Sequence, residues 1–363
     1  MDLNFLRPLY AVPGPVASIH LDTTRDTEDA DKLIELRWRA LRDRLAEQGA
    51  DDATLDAIAD VVGGARGVGG AQGEAIFAAG GRVLAVHTMA RPPAADSAAW
   101  LPVADPLDLV VDRDHQLPYV VVAIDREGAD IDGYEAAEQD PATERSYNGS
   151  TLHIQKVRGG GPSQRHYHRR AENQWNENAG QVAKEVTATA AEVGAAVIFV
   201  GGDERAIGLM KEHLKKADPP VVEIAGGRSD NEDQRTLRAS LDRALEEAMI
   251  ASHDEALAEY GARVPQDTAV EGVPAVVRAL RDGQVEALYL GADRAGEPEL
   301  WASPDDPMLL ATDPSGLDVA GAFQAPASAL LLRAAAMSDA RFTELLDHGD
   351  RTQGTGATLR FTM

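Results

Sequence analysis

Cysteine is absent from the sequence, and this absence excludes disulfide bonds, thiolate nucleophiles and cysteine-ligated zinc or iron–sulfur centres. Long apolar runs are absent too, because no stretch reaches the length of a helix that spans a bilayer. The first residues, Met1 to Asn4, lack the basic lead of a signal peptide. We therefore expect a soluble, cytoplasmic protein whose chemistry uses hydroxyl, imidazole, carboxylate or backbone groups.

Positive charge is scarce as well, since 35 Lys and Arg stand against 60 Asp and Glu and give a net charge of −25. Such a chain repels phosphates over most of its surface, which argues against general affinity for nucleic acid. The exception is residues 145–171, called the basic window below, which contain no acid and carry +6, so the remainder carries −31. Its basic residues are Arg145, Lys156, Arg158, Arg165, Arg169 and Arg170.

Three glycines and a proline, Gly159 to Pro162, lie at the centre of the basic window. A connector between a strand and a long helix would explain the glycines, but not the exclusion of every acid from so acidic a chain. Guanidinium groups on both sides of a glycine-rich loop suit a polyphosphate surface. The composition therefore favours an anion-binding loop.

Neither a metal site nor a hydrolytic triad is predicted from the histidines of this region. His166 and His168 are two residues apart and would point in different directions on a helix. The basic window contains no acidic residue or cysteine that could complete a set of metal ligands with these two histidines and His153. Ser163 and His166 are close in sequence, which is no argument for a triad, since triad residues converge from distant positions. We expect no metal and no cofactor.

Hydrophobic periodicity predicts an α/β fold with two or three domains in 363 residues. In the first third we expect a strand at 16–22, helices at 28–48 and 52–62, a hairpin at 74–88 that turns at Gly80-Gly81, and a surface excursion at 90–105. The first helix should bury Ile34, Trp38, Leu41 and Leu45.

The middle of the chain should begin with a three-strand meander at 119–125, 129–134 and 150–157, with a turn at 126–128 between the first two strands. A long helix should follow from about residue 165 to 193. Its apolar face should contain Tyr167, Ala171, Trp175, Ala179, Val182, Val186 and Ala190. Strands at 195–200 and 221–225 alternate with helices that end near 216 and in the 250s. Between the first such strand and its helix, Asp203 and Glu204 favour helix capping over a nucleotide site. The last third should hold helices at 274–282 and 327–336, strands at 285–290 and 357–361, and a polar, proline-rich interval between them.

Several stretches resemble the archaeo-eukaryotic release factors and Pelota, and more closely the bacterial branch that includes the ribosome hibernation factor Balon. The stretches cover roughly two-thirds of the chain, and their order is more specific than any single motif. They are Tyr119 to Ala129, the basic glycine loop, Arg165 to Glu172, Val273 to Glu286 and Gly354 to Phe361.

This resemblance implies three domains, 1–115, 116–252 and 253–363, with mixed sheets flanked by helices in the last two. It implies a protein that enters the ribosomal A site as a tRNA mimic, with the middle-domain loop near the peptidyl transferase centre and the first domain near the decoding centre. The C-terminal domain would dock a translational GTPase, elongation factor Tu in bacteria. The residues expected to contact rRNA are Lys156, Arg158, Gly159, Gly160, Gly161, Arg165, His166, Arg169 and Arg170.

The sequence departs from the family pattern where release factors carry Gly-Gly-Gln. Gly160-Gly161 is followed here by Pro162, which has no N–H for a developing oxyanion, and the nearest glutamine is Gln164. Stop-codon-reading motifs have no counterpart in the first domain. We therefore favour a non-enzymatic hibernation or protection role on idle or stalled ribosomes, without codon specificity. The alternatives are a peptidyl-tRNA hydrolase or rescue factor that uses Gln164, and an acidic stress-related interaction protein that never touches RNA.

Overall fold

The fold is taken from a computed structural model, which describes residues 1–64, 69–136, 141–148, 162–214, 219–317, 319–346 and 354–361, with only the backbone of 162–174. The chain forms two compact units. One unit combines residues 1–115 with 253–363, and the other contains residues 116–252. Division of the chain into three domains stays a prediction.

The first segment of the chain forms an antiparallel sheet with helices against it. A 3₁₀ helix at Asn4–Tyr10 precedes β1 (Val16–Asp22), α1 (Ala30–Glu47), α2 (Asp52–Ala59), β2 (Gly73–Ala79), β3 (Arg82–Met89), β4 (Ser97–Leu101) and α3 (Leu107–Asp114). The strand order is β3-β2-β1-β4. The predicted face of α1 is buried, and Gly80 and Gly81, at φ 55° and 74°, form the predicted hairpin turn.

The surface excursion predicted at 90–105 is wrong for its second half. Residues 97–101 form β4, which pairs antiparallel with β1 and buries Ala98. Its alanine-rich composition has little strand propensity, so the pairing with β1, a long-range contact, decides the conformation.

The unit of residues 116–252 contains the predicted mixed sheet. Its elements are β5 (Tyr119–Ile124), β6 (Gly128–Tyr134), β7 (Thr143–Asn148), α4 (Pro162–Val193), β8 (Val197–Gly202), α5 (Glu204–His213) and β9 (Val221–Glu223), followed by the start of α6 (Asn231–Arg263). The order is β7-β6-β5-β8-β9, antiparallel from β5 to β7 and parallel from β5 to β9. The third strand of the predicted meander, 150–157, lies outside the described residues.

The core of this unit lies between the sheet and helices α4 and α5. Alternate residues of the strands face the helices because successive side chains of a strand point to opposite sides. The buried set comprises Val120, Val122, Ile124, Ile198 and Val200 from the strands, with Val182, Val186, Ala190, Ile207 and Met210 from the helices. The predicted apolar face of α4 is therefore confirmed from Ala179 to Ala190.

The last segment contains β10 (Ala269–Glu271), α7 (Val273–Arg281), β11 (Val285–Leu290), β12 (Glu299–Ala302), β13 (Leu310–Ala311), β14 (Phe323–Pro326), α8 (Ala327–Met337), β15 (Arg341–Glu344) and β16 (Thr355–Leu359). Its main sheet has the order β10-β16-β11-β15 and is mixed, with only β11 and β15 parallel. The interval predicted as polar and proline-rich contains a second sheet, β13-β12-β14, which the sequence did not indicate.

The two segments of the first unit share one core. The 3₁₀ helix at Asn4–Tyr10 packs on α8, where Leu6 and Leu9 join the same buried cluster as Leu330 and Leu331. Arg7 donates from Nε to the carbonyl of Ala336 at 3.0 Å. Because α8 is buried on all sides, it behaves as a central core helix.

Acid should destabilise the first unit through His87. Its Nδ1 lies 3.0 Å from the Arg113 guanidinium, its Nε2 is buried without a partner in the described structure, and burial followed by the Arg113 charge lowers its pKa to about 4. The unfolded chain binds a proton near the ordinary value of 6.5, so stability should fall as the pH falls from about 6.5 to about 4.

His87→Asn keeps an acceptor for Arg113 without the titration, and should make the denaturant midpoint less dependent on pH in this range. The dependence should not vanish, because burial also lowers the pKa of His20. An unchanged pH dependence in His87→Asn would contradict this assignment.

Within the described parts of the chain, no helix combines the length and apolar composition needed to cross a membrane.

Candidate functional site

The predicted RNA-binding residues fall in two groups. Lys156, Arg158 and the three glycines 159–161 lie outside the described residues. The first turns of α4 contain Gln164, Arg165, His166, Arg169 and Arg170. Only the backbone of these residues is described. Their roles, including the catalytic role considered for Gln164, therefore stay predictions.

The metal prediction concerns the same region. His153, and the side chains of His166 and His168, lie outside the described structure. Among the side chains that are described, no group of three or more histidines and carboxylates is placed to hold a metal ion.

Residues 149–161, called the basic loop below after the prediction from the sequence, follow Asn148, the end of β7, and lie outside the described residues. Asn148 accepts through Oδ1 from Arg228 Nη2 at 3.2 Å. The same guanidinium lies 3.4 Å from Asp125 Oδ2 through Nε and 3.5 Å from Asp130 Oδ1 through Nη1. Only 19% of the Arg228 side chain is exposed. Arg228 therefore joins the end of β7 to Asp130 of β6 and to Asp125, which follows β5.

On the other side of the basic loop, α4 begins at Pro162 and contacts a neighbouring turn through Trp175. The guanidinium carbons of Arg126 and Arg205 lie 5.0 and 5.2 Å from the centre of the Trp175 ring. One turn further along α4, the buried Asn178 donates from Nδ2 to the carbonyl of Arg126 at 3.4 Å. A cation over an indole face is worth about 0.5–1 kcal/mol at an exposed site. These contacts fix α4 against the turn that contains Arg126.

The end of β7 and the helix α4 are thus both connected to one tight turn, Asp125 to Gly128, called the stem turn below. Asp125 accepts through Oδ1 from the N–H groups of Glu127 and Gly128 at 2.7 and 2.8 Å. A Cβ at Gly128 would lie 1.9 Å from the carbonyl oxygen of Tyr147, so only glycine fits where β6 meets β7. The turn predicted at 126–128 is confirmed.

Helix capping at the end of β8 is confirmed too. Asp203 accepts through Oδ1 from the N–H groups of Arg205 and Ala206, both at 3.1 Å, and pairs with Arg126 at 3.0 Å. Burial acts to raise the pKa of Asp203, but the Arg126 guanidinium and the two N–H groups outweigh it and hold the pKa below its usual value. This carboxylate occupies the place of a phosphate at the α5 N-terminus.

An open depression of about 490 Å³ lies at this end of the parallel strands. Its charged side chains are Asp125, Glu127, Asp203 and Asp233, against a single Arg126. An excess of carboxylates disfavours phosphate binding, so the depression is a poor nucleotide site.

One arginine of the basic window forms ion pairs within the unit of residues 116–252. Arg145, on β7, donates to Glu185 at 3.0 Å and to Glu192 at 2.6 Å, both on α4. Its charge is therefore compensated locally. The remaining five basic residues of the window are those between 156 and 170.

Arg228 and the cation-binding role of Trp175 were missed by sequence reasoning. The sequence placed Trp175 only on the apolar face of α4, yet its side chain is partly exposed between Arg126 and Arg205. Arg228 follows Gly226-Gly227 after a short strand, a pattern that predicts a turn and indicates nothing about the distant partner Asn148.

Residues 118–265, which include the stem turn, both ends of the basic loop and α4, match the model of bacterial archaeo-eukaryotic release factor family 2. Over these residues the chain is similar to that family. This bacterial release factor-like segment begins at the end of the first predicted domain and includes the whole five-stranded mixed sheet. The resemblance to the family seen in the sequence is confirmed.

Two curated relatives come from strains of Mycobacterium tuberculosis. The proteins Rv2629 and MT2704 are each 27% identical to the chain over 294 residues, which is 79% of this chain and 77% of the relative. The likeness therefore extends well beyond the release factor-like segment.

Solved structures with likeness to the chain include an archaeal translation termination factor, aRF1, at 16% identity and a TM-score of 0.26, covering 98% of this chain and 96% of the other. Dom34 of S. cerevisiae is 8% identical over 80% and 79% of the two chains, with a TM-score of 0.41. A ribosome-bound archaeal Pelota is 13% identical over 99% and 94%, with a TM-score of 0.41. The similarity to the release factor family rests on the match of residues 118–265 to the family model.

Proposed function

We propose that this protein is a translation factor that binds the ribosomal A site of idle or stalled ribosomes without reading a codon, and that hibernation or protection is its role. The observation that carries the proposal is the basic window, an acid-free +6 stretch in a chain of net charge −25. The window lies within the segment, residues 118–265, that matches the release factor family model.

Local positive charge can outweigh the negative net charge of the chain, because salt screens the repulsion between distant charges. The Debye length is about 8 Å at physiological ionic strength, so carboxylates farther than this from a bound phosphate repel it weakly. Arg158, Arg165, Arg169 and Arg170 supply guanidinium groups suited to bidentate phosphate contacts. Gly159, Gly160 and Gly161 permit close approach of the backbone to RNA.

Occupation of the ribosome is favoured over peptidyl-tRNA hydrolysis. Pro162 stands where release factors carry the glutamine of Gly-Gly-Gln, and it offers neither a side-chain amide nor a backbone N–H to a developing oxyanion. Docking of a translational GTPase, elongation factor Tu, by the C-terminal segment completes the proposal. The related archaeal Pelota is ribosome-bound together with ABCE1.

Co-sedimentation with ribosomes whose A site is empty tests the proposal. The protein should pellet with ribosomes at about 50 mM salt and be released progressively toward about 200 mM, because each phosphate contact returns counterions to solution. A tRNA already in the A site should prevent binding. Absence of pelleting at low salt, or binding that ignores A-site occupancy, would contradict the proposed function.

A further inference from the structure

We propose that His115 and His253 form a clasp that holds together the two chain connections between the first unit and the unit of residues 116–252. The clasp consists of these two histidines with Asp114 and Glu344, and all four residues belong to the first unit. Opening of the clasp loosens both connections at once. The inference is independent of the proposed function, because every part of it can be tested on the protein alone.

The two histidines lie where the chain leaves and re-enters the first unit. The N-terminal segment of that unit ends at His115 and its C-terminal segment begins at His253, so residues 116–252 are one continuous insertion with two connections. The imidazole rings are stacked, with their centres 5.3 Å apart and their planes 8° from parallel. This separation is within the range of favourable aromatic pairs, so the rings join the two connections directly.

A single residue, Glu344 at the end of β15, binds both histidines. Its carboxylate is hydrogen-bonded through Oε2 to Nε2 of His115, and its main-chain carbonyl accepts from Nε2 of His253 at 2.8 Å. Its N–H donates to Asp114 Oδ2 at 2.6 Å, and the same oxygen lies 3.7 Å from Nδ1 of His253. Because Asp114 directly precedes His115 in the chain, the four residues form a closed set of contacts.

These contacts are shielded from water. The exposed fraction of the side chain is 17% for His115, 9% for Glu344, 7% for His253 and 6% for Asp114. Hydrogen bonds in such surroundings are stronger than in water, and a polar group that loses its partner there is costly to leave unsatisfied. Loss of one member of the clasp therefore disfavours the arrangement of the other three, which couples the two histidines.

Helix α6 becomes anchored to the first unit at His253. The helix crosses the boundary between the two units without a break. None of residues 231–252, all of which are described, is buried, whereas His253, Leu257 and Tyr260 are buried and lie on one face at spacings of four and three. Release of His253 would leave Leu257 as the next anchor, about one helical turn further along the chain.

The other connection is short, because residues 116–118 alone separate His115 from β5. Release of His115 would extend this connection back to Asp112 of α3. The Asp112 carboxylate is the next anchor on that side, since it accepts from the N–H groups of Ala90 and Arg91 at 3.0 and 3.1 Å. Each histidine therefore sets the length of one connection, and the stacked rings make the two lengths change together.

Hydrogen exchange in variants of each histidine tests this coupling. In His115→Gln, the amides of residues 253–257 in α6 should exchange about tenfold faster, and in His253→Gln the amides of the last turn of α3 should do so. Each effect is expected in the element that carries no substitution, because the contact between the two elements is lost. Acceleration confined to the element that carries the substitution would overturn the inference.

The double variant His115→Gln/His253→Gln gives a second test. The clasp is already open in either single variant, so exchange in both elements should rise by less than about twofold beyond the faster single variant. Accelerations that multiply in the double variant would show two independent contacts and would contradict the clasp.

His213→Gln is the matched control, because His213 is an exposed histidine of α5 in the other unit. It should leave exchange in α3 and in residues 253–257 of α6 unchanged. The amides of β11 should be unchanged in every variant, which shows that the first unit remains folded.

Glu344→Gln keeps the test decisive if a histidine variant does not fold. It retains the main-chain carbonyl that binds His253 and replaces the carboxylate that binds His115 by a weaker, neutral acceptor. Exchange in residues 253–257 should rise about threefold, because a charge-assisted hydrogen bond is roughly twice as strong as a neutral one. Unchanged exchange at these amides would refute the clasp.

Discussion

Replacement of Arg165, Arg169 and Arg170 by Ala should lower ribosome affinity by about 100-fold or more at about 50 mM salt. Each guanidinium–phosphate contact is charge-assisted and worth about 1.5–3 kcal/mol, and losses at neighbouring positions are not additive. The slope of log affinity against log salt should also fall by about two to three, since each lost contact removes roughly 0.7–0.9 of a released counterion. Co-sedimentation over a salt series measures both quantities.

The matched control replaces Arg235, Arg238 and Arg243, three exposed arginines of α6, by Ala. It removes the same three charges and should change affinity only through long-range attraction, which salt screens. Similar losses in the two triple variants would show that net charge alone governs binding. Unchanged binding in the first variant would exclude the start of α4 as the contact surface.

Gly202→Ala should destabilise the unit of residues 116–252 by at least about 3 kcal/mol. Gly202 has φ of 135°, a conformation that side chains rarely adopt, and a Cβ there would lie 1.8 Å from the carbonyl oxygen of Ile124. The neighbouring strand β5 cannot yield without breaking its pairing with β8, where Ile124 stands opposite Gly202. Strain and steric overlap therefore act together at the point that places Asp203 against Arg126.

Gly208→Ala provides the comparison, because Gly208 lies within α5 and a Cβ there meets no atom within 4 Å. It should stabilise the unit by up to about 1 kcal/mol, the helix preference of Ala over Gly. Protection of the β5 and β8 amides against hydrogen exchange reports the stability of this unit separately from the other. Equal protection in the two variants would contradict the strain assigned to Gly202.

Local patterns in the sequence were sufficient for most elements of the fold. The spacing of Ile34, Trp38, Leu41 and Leu45 predicted both the helix α1 and the face it buries. The hairpin at Gly80-Gly81 and the cap at Asp203 were predicted because the residues that determine them are neighbours in the chain. The acid-free basic window needs no structure to be recognised.

Long-range pairing could not be predicted in the same way. The sequence of residues 97–101 does not indicate a strand, and these residues become one because they pair with β1. The small sheet β13-β12-β14 forms from short segments that are separated in the sequence. The N-terminal and C-terminal segments form one unit through contacts between residues that are far apart in the sequence. One such contact is the ion pair of Arg294 with Asp105 Oδ1 at 2.9 Å. Such pairs leave no periodic signal in the sequence.

The sequence by itself determined the acidic character, the secondary structure of the longer elements, the resemblance to the release factor family and the position of the basic window, because composition and short-range periodicity encode these properties. Only the tertiary structure decided that Arg145 is compensated within its unit, that Arg228 binds Asn148 at the end of β7 and that Trp175 of α4 contacts Arg126. Residues 148 and 228 meet only when β9 lies in the same sheet as β7, and that proximity is a property of the fold.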